Sequence, residues 1–277
     1  MNLLFAINKS FIPLLLDCLW SISQRGGAAE YNAYILHSDL RPENMCHILA
    51  NVDKAIKCRF IEVPCDMFDG FPVTDRYPRQ IYYRLAAPLL LPPELERILY
   101  LDVDITIINS LLPLYESDFG GNLFMACTHT NDIVAKLNMV RLGISLDEDV
   151  PYINTGVMML NLSLLRRELD INAIRTYALE KQDFLILPDQ DILTALYGRR
   201  VKLLDTLIYN LSDRTLAFYN ANPIHPKRDV DWVRSNSVVI HYLGKNKPWR
   251  DGYVGVLDVF YRESVASRAK KEVRCGA

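Results

Sequence analysis

Two acidic residues stand at the end of an apolar segment near the middle of the chain. Asp102 and Asp104 follow Arg97–Leu101, a run typical of a buried strand in a parallel sheet. Residues two apart on an extended chain point to the same side, so both carboxylates can converge on one point. Two close carboxylates repel each other unless a cation lies between them. The pattern predicts a site for Mn²⁺ or Mg²⁺, and the plain alternative is that both acids end a strand in water.

The elements that must position these acids alternate along the chain. Apolar runs predict strands at residues 2–7, 31–37, 58–63, 97–104, 123–127, 157–162 and 237–242. Helical patterns predict helices at about 10–26, 42–57, 79–87, 131–142, 163–181 and 192–197. Ser10 is the expected cap of the first helix, and Pro88 is expected to end the third. This alternation predicts an α/β protein with a Rossmann-like sheet.

Composition excludes several classes of function. The chain has 277 residues, 50% of them hydrophobic, so a large core can form. The net charge of -2 gives no basis for broad binding to nucleic acid. No signal-peptide pattern is visible, and no apolar run approaches the ~20 residues of a membrane span. The six cysteines form no Cys-x-x-Cys pair, so we expect reduced side chains in a cytoplasmic protein.

The chain shows no repeat and no low-complexity linker. We expect one domain over residues 1–255 and a basic, helical C-terminal tail over residues 256–277. Such a tail can contact the inner face of the cell membrane or can simply be a solvated final helix.

Short motifs accompany the two acids in a fixed order. They are Phe5-Ala6, Tyr83-Arg84-Leu85, Leu99–Asp104, Asn154–Val157, Asp189–Leu193, and His241–Gly244 with Lys247–Trp249. Together they resemble the family 8 glycosyltransferases, retaining nucleotide-sugar enzymes that include bacterial lipopolysaccharide galactosyl- and glucosyltransferases and glycogenin. The resemblance covers about Asn2 to Trp249. It implies a single GT-A domain with a mostly parallel central sheet flanked by helices. It also implies a divalent metal, usually Mn²⁺, and transfer of galactose or glucose from a UDP-sugar to a glycan or lipid-linked saccharide.

The resemblance implies that Asp102, Asp104 and His241 are the metal ligands. Without it, a histidine after Val-Val-Ile is typical of a satisfied core residue. A diphosphate needs backbone N–H groups at close range and a fixed cation. Gly244 permits that approach, and Lys247 supplies the charge. Because a loop lysine is usually solvated, the role of Lys247 rests on the resemblance.

The nucleotide contacts implied by the resemblance include Ala6, Val103 and Asn8. After Phe5-Ala6, many family members carry an acidic or Asn-Tyr pair that contacts and recognises the uracil ring. This chain departs from that pattern. The amide of Asn8 can still pair with the base edge because it both donates and accepts hydrogen bonds. Phe11 can stack on the base.

Four further residues are expected at the donor sugar. In the family, the position of Arg84 lies near the diphosphate and the sugar, and that of Asp189 hydrogen-bonds the sugar. The position of Gln190 lies beneath the anomeric carbon, and the Asn154 amide can read sugar hydroxyls. Without the resemblance, Arg84 fits a surface helix, Asp189 a helix cap, and Asn154 a turn before a strand.

The expected catalytic residues are Gln190, Asp189 and Arg84. A glutamine is a poor nucleophile, and retaining glycosidases instead place two carboxylates beside the anomeric carbon. We therefore expect front-face transfer, in which the leaving phosphate accepts the proton of the acceptor hydroxyl. Gln190 would steady the oxocarbenium-like state.

Two other functions fit parts of the pattern. Residues 102–106 match the Asp-x-Asp-x-Thr motif of haloacid-dehalogenase-like phosphohydrolases, with Asp102 as nucleophile and Asp104 as acid/base. That motif usually lies near the start of a chain, whereas about a hundred residues precede it here. The second alternative is a non-catalytic nucleotide-sugar binder, which the departure at Asn8 leaves open.

Overall fold

The computed structural model describes residues 1–74, 77–128, 132–144 and 150–275. The strands of these ranges are β1 (Asn2–Ala6), β2 (Tyr31–His37), β3 (Ile56–Glu62), β4 (Arg97–Leu101), β5 (Ile105–Ile107), β6 (Phe124–Thr128), β7 (Ile153–Asn161), β8 (Val201–Leu204) and β9 (Val239–His241). The helices are α1 (Ile12–Arg25), α2 (Pro42–Asn51), α3 (Ala87–Leu90), α4 (Leu112–Tyr115), α5 (Asp132–Leu142), α6 (Leu162–Glu168), α7 (Ile171–Glu180), α8 (Pro188–Tyr197), α9 (Thr206–Tyr209), α10 (Asp213–Ala221), α11 (Val230–Asn236) and α12 (Asp258–Cys275). Short 3₁₀ segments cover Lys9–Phe11, Arg79–Ala86 and Gly198–Arg200.

A seven-stranded sheet forms the centre of the molecule, in the order β3-β2-β1-β4-β7-β6-β8. Only β7 runs antiparallel to its neighbours β4 and β6, and the other neighbouring pairs are parallel. The predicted α/β class with a mostly parallel sheet is therefore confirmed. Because β7 is reversed, its first residues lie at the same edge of the sheet as the last residues of β4.

Side chains that alternate along each strand pack into two apolar cores, one on each face of the sheet. In β4, Leu99 and Leu101 enter one core, and Ile98 and Tyr100 enter the other. All four are buried. A strand that is buried on both faces reads as a continuous apolar run, which explains why β4 was recognisable in the sequence.

A separate two-stranded sheet pairs β5 with β9 in antiparallel register, with Ile105 opposite His241. The strand expected at residues 97–104 therefore ends at Leu101, and a bend separates it from β5. The strand expected at residues 237–242 exists, but it pairs outside the main sheet.

Several predicted helix boundaries are wrong for local reasons. Ser10 does not cap α1: the side chain of Asn8 accepts a hydrogen bond from the backbone N–H of Ser10 at 2.9 Å and caps the 3₁₀ turn. Pro88 does not end a helix but lies in the first turn of α3, where no intrahelical N–H is needed. The helix expected to reach residue 57 ends at Asn51, since β3 begins at Ile56.

The helix expected over residues 163–181 is two helices, α6 and α7. Asp170 stands between them, and its side chain accepts from the backbone N–H groups of Asn172 and Ala173. This cap starts a new helix because it satisfies donors that an unbroken helix would bond internally. The helix expected over residues 131–142 begins at Asp132, and residue 131 lies outside the described residues.

The C-terminal helix α12 packs along α1. Trp20 Nε1 donates to Ser267 Oγ at 2.7 Å, and Arg268 lies 2.8 Å from Asp17. Lys271 also pairs with an acid, Asp53. These pairs neutralise part of the basic charge of the tail, so they do not support membrane contact, which was one of the two alternatives for this segment. Within the described ranges, no helix combines the length and the apolar character that crossing a bilayer requires.

Candidate active site

A cleft of about 1070 Å³ opens where β1 and β4 end and β7 begins. This is the sheet edge at which open α/β folds bind ligands. Its lining includes residues from the main sheet, the small sheet and α8, among them Ala6, Asp102, Asp104, Asn154, Gln190 and His241. The structure therefore brings together predicted site residues that lie up to 241 positions apart, from Ala6 to Lys247.

A bend after β4 orients the two acids. The backbone N–H of Asp102 donates to Gly156 O at 2.8 Å, which ties the end of β4 to β7. Beyond that point the chain leaves the sheet and re-enters extended conformation only in β5. The two carboxylates converge as expected, but not for the expected reason, because they do not lie on one continuous strand. Asp104 is instead placed by the β5–β9 pairing, because its carbonyl accepts from the N–H of Tyr242 at 3.0 Å.

His241 meets both acids. Its Nε2 lies 3.1 Å from Asp104 Oδ1 and 3.9 Å from Asp102 Oδ2. The ring is 2% exposed. One ligand atom from each of the three residues lies within 4.8 Å of the others. The structure thus brings together the predicted metal ligands, although Asp104 and His241 are 137 positions apart in the sequence.

The geometry of this cluster fits a divalent cation. Two ligand atoms at about 2.1 Å from an octahedral Mg²⁺ and at right angles are about 3 Å apart, close to the Asp104–His241 separation. Carboxylate oxygens suit Mg²⁺ and Mn²⁺, and imidazole is tolerated by the first-row transition metals. Asp102, Asp104 and His241 could therefore hold Mn²⁺ or Mg²⁺.

Gly156 is required beside this cluster for steric reasons. A Cβ atom at this position would lie 2.2 Å from His241 Cε1 and 2.8 Å from Asp102 Oδ2. Asn154 and Gly156 lie inside β7, so the alternative of a simple turn at this point is wrong. The β6–β7 register shifts after Ala126, and such irregularities re-aim side chains next to functional sites.

Lys247 contacts Asp104 directly, donating to its Oδ2 and to the carbonyl of Tyr242. Burial by itself would raise the pKa of Asp104, but His241 and Lys247 outweigh it and hold the pKa of this carboxyl well below its usual range. Asp104 is therefore a carboxylate at neutral pH. The alternative of a merely solvated loop lysine is wrong, since the side chain of Lys247 is 14% exposed.

Arg84 lies beneath the cleft rather than on a surface helix. It is 7% exposed, and its guanidinium lies 4.2 Å from the centre of the Tyr100 ring. Its Nη2 donates to Asp102 Oδ1 at 2.9 Å, and its Nη1 donates to Thr155 O at 2.7 Å. Burial opposes the charge, but the contacts with Asp102, Tyr100 and Asp189 raise the pKa above its usual value. Arg84 is thus a permanent cation that holds Asp102 in place.

Asp189 and Gln190 stand in the first turn of α8. Asp189 is 5% exposed, accepts from Thr155 Oγ1 at 2.6 Å and lies 3.4 Å from Arg84 Nε. Burial raises its pKa, and Arg84 and Thr155 offset this only in part. It is not the helix cap, since that position is Leu187. Gln190 lines the cleft, and its buried Oε1 has no hydrogen-bond partner among the described residues.

Of the expected nucleotide contacts, Asn8 is not among the residues that line the cleft. Ala6, Val103 and Phe11 line it, and Phe11 is 38% exposed. The side-chain oxygen of Asn8 accepts from both the backbone N–H and the Oγ of Ser10, so the hydrogen-bonding capacity left to the side chain is its amide N–H₂ group. Gly244 has φ +75°, a left-handed conformation that favours glycine, and it also lines the cleft.

Three residues at this site were missed in the sequence. Tyr100 donates to Asp102 Oδ1 at 2.7 Å, and Thr155 bonds Asp189 as described above. Asn210 bonds His241 Nδ1 at 2.7 Å. Tyr100 was detectable, because it lies two residues before Asp102 and therefore on the same side of the chain. Asn210 belongs to none of the motifs, and no pattern in the neighbouring sequence indicated a role at the site.

Comparison with known proteins is consistent with this arrangement. The family model "Glycosyl transferase family 8" matches residues 2–252. A lipopolysaccharide 1,2-glucosyltransferase of Escherichia coli is 28% identical over 257 residues, covering 84% of this chain and 72% of its own. General stress protein A of Bacillus subtilis is 22% identical over 233 residues, covering 79% and 77%. The crystal structure of galactosyltransferase LgtC in complex with donor and acceptor sugar analogs is 26% identical, with a TM-score of 0.80 and 96% of each chain covered.

Proposed function

The chain belongs to glycosyltransferase family 8 and has the GT-A fold, and from this we propose that it is a metal-dependent, retaining hexosyltransferase. It would move galactose or glucose from a UDP-sugar to a glycan or lipid-linked saccharide. The main support is the convergence of Asp102, Asp104 and His241 on one point of a cleft of about 1070 Å³. Ligand clefts are usually about 300–1,000 Å³, so this one has room for a nucleotide-sugar and part of an acceptor.

Asp102, Asp104 and His241 would hold Mn²⁺ or Mg²⁺, which when bound supplies positive charge to a diphosphate leaving group. Lys247 would add a second, fixed cation, and the backbone at Gly244 would approach the phosphate oxygens. Lys247 and the backbone at Gly244 would contact phosphate oxygens whose negative charge grows as the sugar–phosphate bond breaks. They therefore favour the transition state over the ground state.

Arg84 would act through the carboxylates it touches. Its contacts with Asp102 and Asp189 join the metal side of the cleft to the sugar side. Its charge would also favour the diphosphate over a neutral ligand. We propose that it holds both acids in the orientation that donor binding requires.

At the donor sugar, Asn154 and Asp189 would bind hydroxyl groups, and Gln190 would lie beneath the anomeric carbon. The unpartnered Oε1 of Gln190 is the negative end of an amide dipole, which suits a carbon that gains positive charge. Asp189 is held by Thr155 and Arg84, which argues against its use as a nucleophile. We therefore propose front-face transfer. The sugar–phosphate bond breaks, the leaving phosphate takes the acceptor hydroxyl proton, and the acceptor oxygen bonds to the same face.

Relatives named as lipopolysaccharide glycosyltransferases support a lipid-linked saccharide as acceptor. We propose a role in lipopolysaccharide biosynthesis. We also propose a cytoplasmic location, with a cytoplasmic UDP-sugar as the donor. Ala6, Val103 and Asn8 would bind the nucleoside.

The test is a screen of nucleotide-sugars with Mn²⁺ and saccharide acceptors, scored by nucleoside diphosphate release and by the anomeric configuration of the product. We expect release from a UDP-hexose, retention of configuration, and loss of both Mn²⁺ binding and turnover in His241→Ala. Tight UDP-sugar binding by calorimetry without turnover would indicate a binder instead. Hydrolysis of a generic phosphoester that is lost in Asp102→Asn would indicate a phosphohydrolase.

A further inference from the structure

A buried chain of hydrogen bonds runs behind His241, on the side away from the two acids. The N–H of Gly156 donates to Asn154 Oδ1 at 3.0 Å, and Asn210 Nδ2 donates to the same oxygen at 2.9 Å. Asn210 Oδ1 then lies 2.7 Å from His241 Nδ1. Asn154 is 3% exposed, and Asn210 and His241 are each 2% exposed. Water therefore does not compete for these bonds.

The direction of every bond in this chain follows from its first donor. A backbone N–H can only donate, so the Asn154 atom that faces Gly156 is the carbonyl oxygen. The Asn210 atom that faces this oxygen must then be the amide nitrogen. The other side-chain atom of Asn210 is consequently an oxygen, which can only accept. His241 must donate to it, so Nδ1 carries a proton.

We infer that Asn210 is a positioning residue that keeps a proton on Nδ1 of His241 and so reserves Nε2 for the cluster with Asp102 and Asp104. The nitrogen that binds a metal in a histidine is set by the hydrogen bond that the other nitrogen makes. The inference rests on the proposed function, because it assigns Nε2 as the ligand atom of that metal site.

The backbone around Asn210 holds it at this distance. Asn210 follows α9, and its N–H donates to Thr206 O at 3.1 Å. The next residue, Leu211, is fully buried and bridges to Ile240 in β9. Its N–H donates to Val239 O at 3.0 Å, and its carbonyl accepts from the N–H of His241 at 2.8 Å. The segment that carries Asn210 is thus bonded to the strand that carries His241.

Gly156 restrains the same ring from another direction, because only a glycine leaves room for His241 Cε1 there. The ring is therefore held by a hydrogen bond at Nδ1 and by close backbone packing at Cε1. Without Asn210, Asp104 Oδ1, at 3.1 Å from Nε2, would be the nearest strong acceptor. The proton of the neutral ring would then move to Nε2, where it blocks coordination.

The experiment compares Asn210→Leu, which has no acceptor, with Asn210→Asp, which keeps the acceptor that faces Nδ1 although it gives up the hydrogen bond to Asn154 Oδ1. Nitrogen-15 NMR of the metal-free protein at alkaline pH reports which ring nitrogen of His241 is protonated, with His241→Gln used for assignment. We expect Nδ1–H in the wild type and in Asn210→Asp, and Nε2–H in Asn210→Leu. Titration of Mn²⁺ by electron paramagnetic resonance should show a loss of affinity of about 10–100-fold in Asn210→Leu only.

Asn32→Leu is the matched control, since Asn32 also bonds another asparagine, Asn2, but at the opposite end of the sheet. It should leave the His241 spectrum and the Mn²⁺ affinity unchanged. An Nε2–H ring in the wild type, or an unchanged spectrum in Asn210→Leu, would overturn the inference. If Asn210→Leu does not fold, the wild-type and Asn210→Asp spectra decide it. The spectra need no metal, so absence of Mn²⁺ binding by the wild type would instead refute the proposed function.

Discussion

Substitution of Gly156 by alanine tests whether close packing against His241 builds the site. Gly156 lies within β7 and does not have a positive φ, so alanine causes no backbone strain there. The effect is therefore purely steric. The new Cβ would lie 2.2 Å from His241 Cε1, whereas non-bonded carbon atoms prefer about 3.5–4.0 Å. The ring or the strand must move by roughly 1 Å or more.

Two magnitudes follow from that displacement. Overpacking of a buried position lowers the free energy of unfolding by about 1–3 kcal/mol. A misplacement of about 1 Å at a catalytic group can lower the rate about 100-fold, which corresponds to about 2.7 kcal/mol in the activation barrier. We expect Gly156→Ala to remain folded, to bind Mn²⁺ more weakly, and to lose about 100-fold in kcat/KM.

The assays are urea unfolding, Mn²⁺ titration, and nucleoside diphosphate release with the best donor. Gly198→Ala is the matched control, because its Cβ would lie 2.5 Å from Val150 Cγ1, outside the metal cluster. The control should lose stability and keep its Mn²⁺ affinity. If Gly156→Ala binds Mn²⁺ and turns over within about threefold of the wild type, the steric reasoning is refuted, since a 1 Å misplacement predicts a much larger loss.

Three further substitutions have distinct expected outcomes. Lys247→Ala should lower kcat by about 100- to 1,000-fold in steady-state assays while the circular dichroism spectrum is unchanged, because a fixed cation is lost from the leaving group. Arg84→Lys should lower the free energy of urea unfolding by about 1–3 kcal/mol, because lysine keeps the charge but cannot bond several buried groups at once. Asp53→Asn should lower the same free energy at pH 7 by at most about 1 kcal/mol, since the ion pair with Lys271 is partly exposed.

The contribution of Asp53 to the free energy of unfolding depends on pH in a direction that its pKa shift determines. The hydrogen bond from Lys271, followed by that from the Ala55 N–H, lowers the pKa of Asp53 below its usual value of 3.8. Its contribution is therefore complete above that value and is lost as the pH falls through the lower, folded-state pKa. Urea unfolding of both proteins at pH 7 and pH 3 measures this. A difference that grows toward acid pH would contradict it.

For Lys247→Ala, the informative control is Lys57→Ala, whose partner Glu30 is exposed and distant from the cleft. Equal loss of turnover in the two variants would rule out a specific role for Lys247. For Arg84→Lys, unchanged stability would show that its contacts with Asp102 and Thr155 O contribute little.

The sequence alone determined the class of fold and most of the strands. The apolar runs at β1, β2, β4 and β6 are each buried on both faces of the sheet, so they stand out without periodicity. The order of the motifs, from Phe5-Ala6 to Lys247–Trp249, determined the resemblance to family 8, which the family match then showed. These features depend on local composition and on order along the chain, which a sequence contains directly.

Helix boundaries were less accurate because local signals compete. From the local sequence, Pro88 could equally end one helix or lie in the first turn of the next. In the structure it lies in the first turn of α3. Asp170 reads as one polar residue within a helical stretch, yet it caps a new helix. Which option wins depends on packing against the sheet, which local sequence does not specify.

Only the tertiary structure decided how the site is built. Asp102 and Asp104 converge because the chain bends after β4 and β5 pairs with β9, whereas sequence spacing suggested a single straight strand. Asn210 reaches His241 because the segment after α9 is bonded alongside β9. Contacts between residues so far apart in sequence depend on strand pairing and burial, which are properties of the folded chain rather than of any one segment.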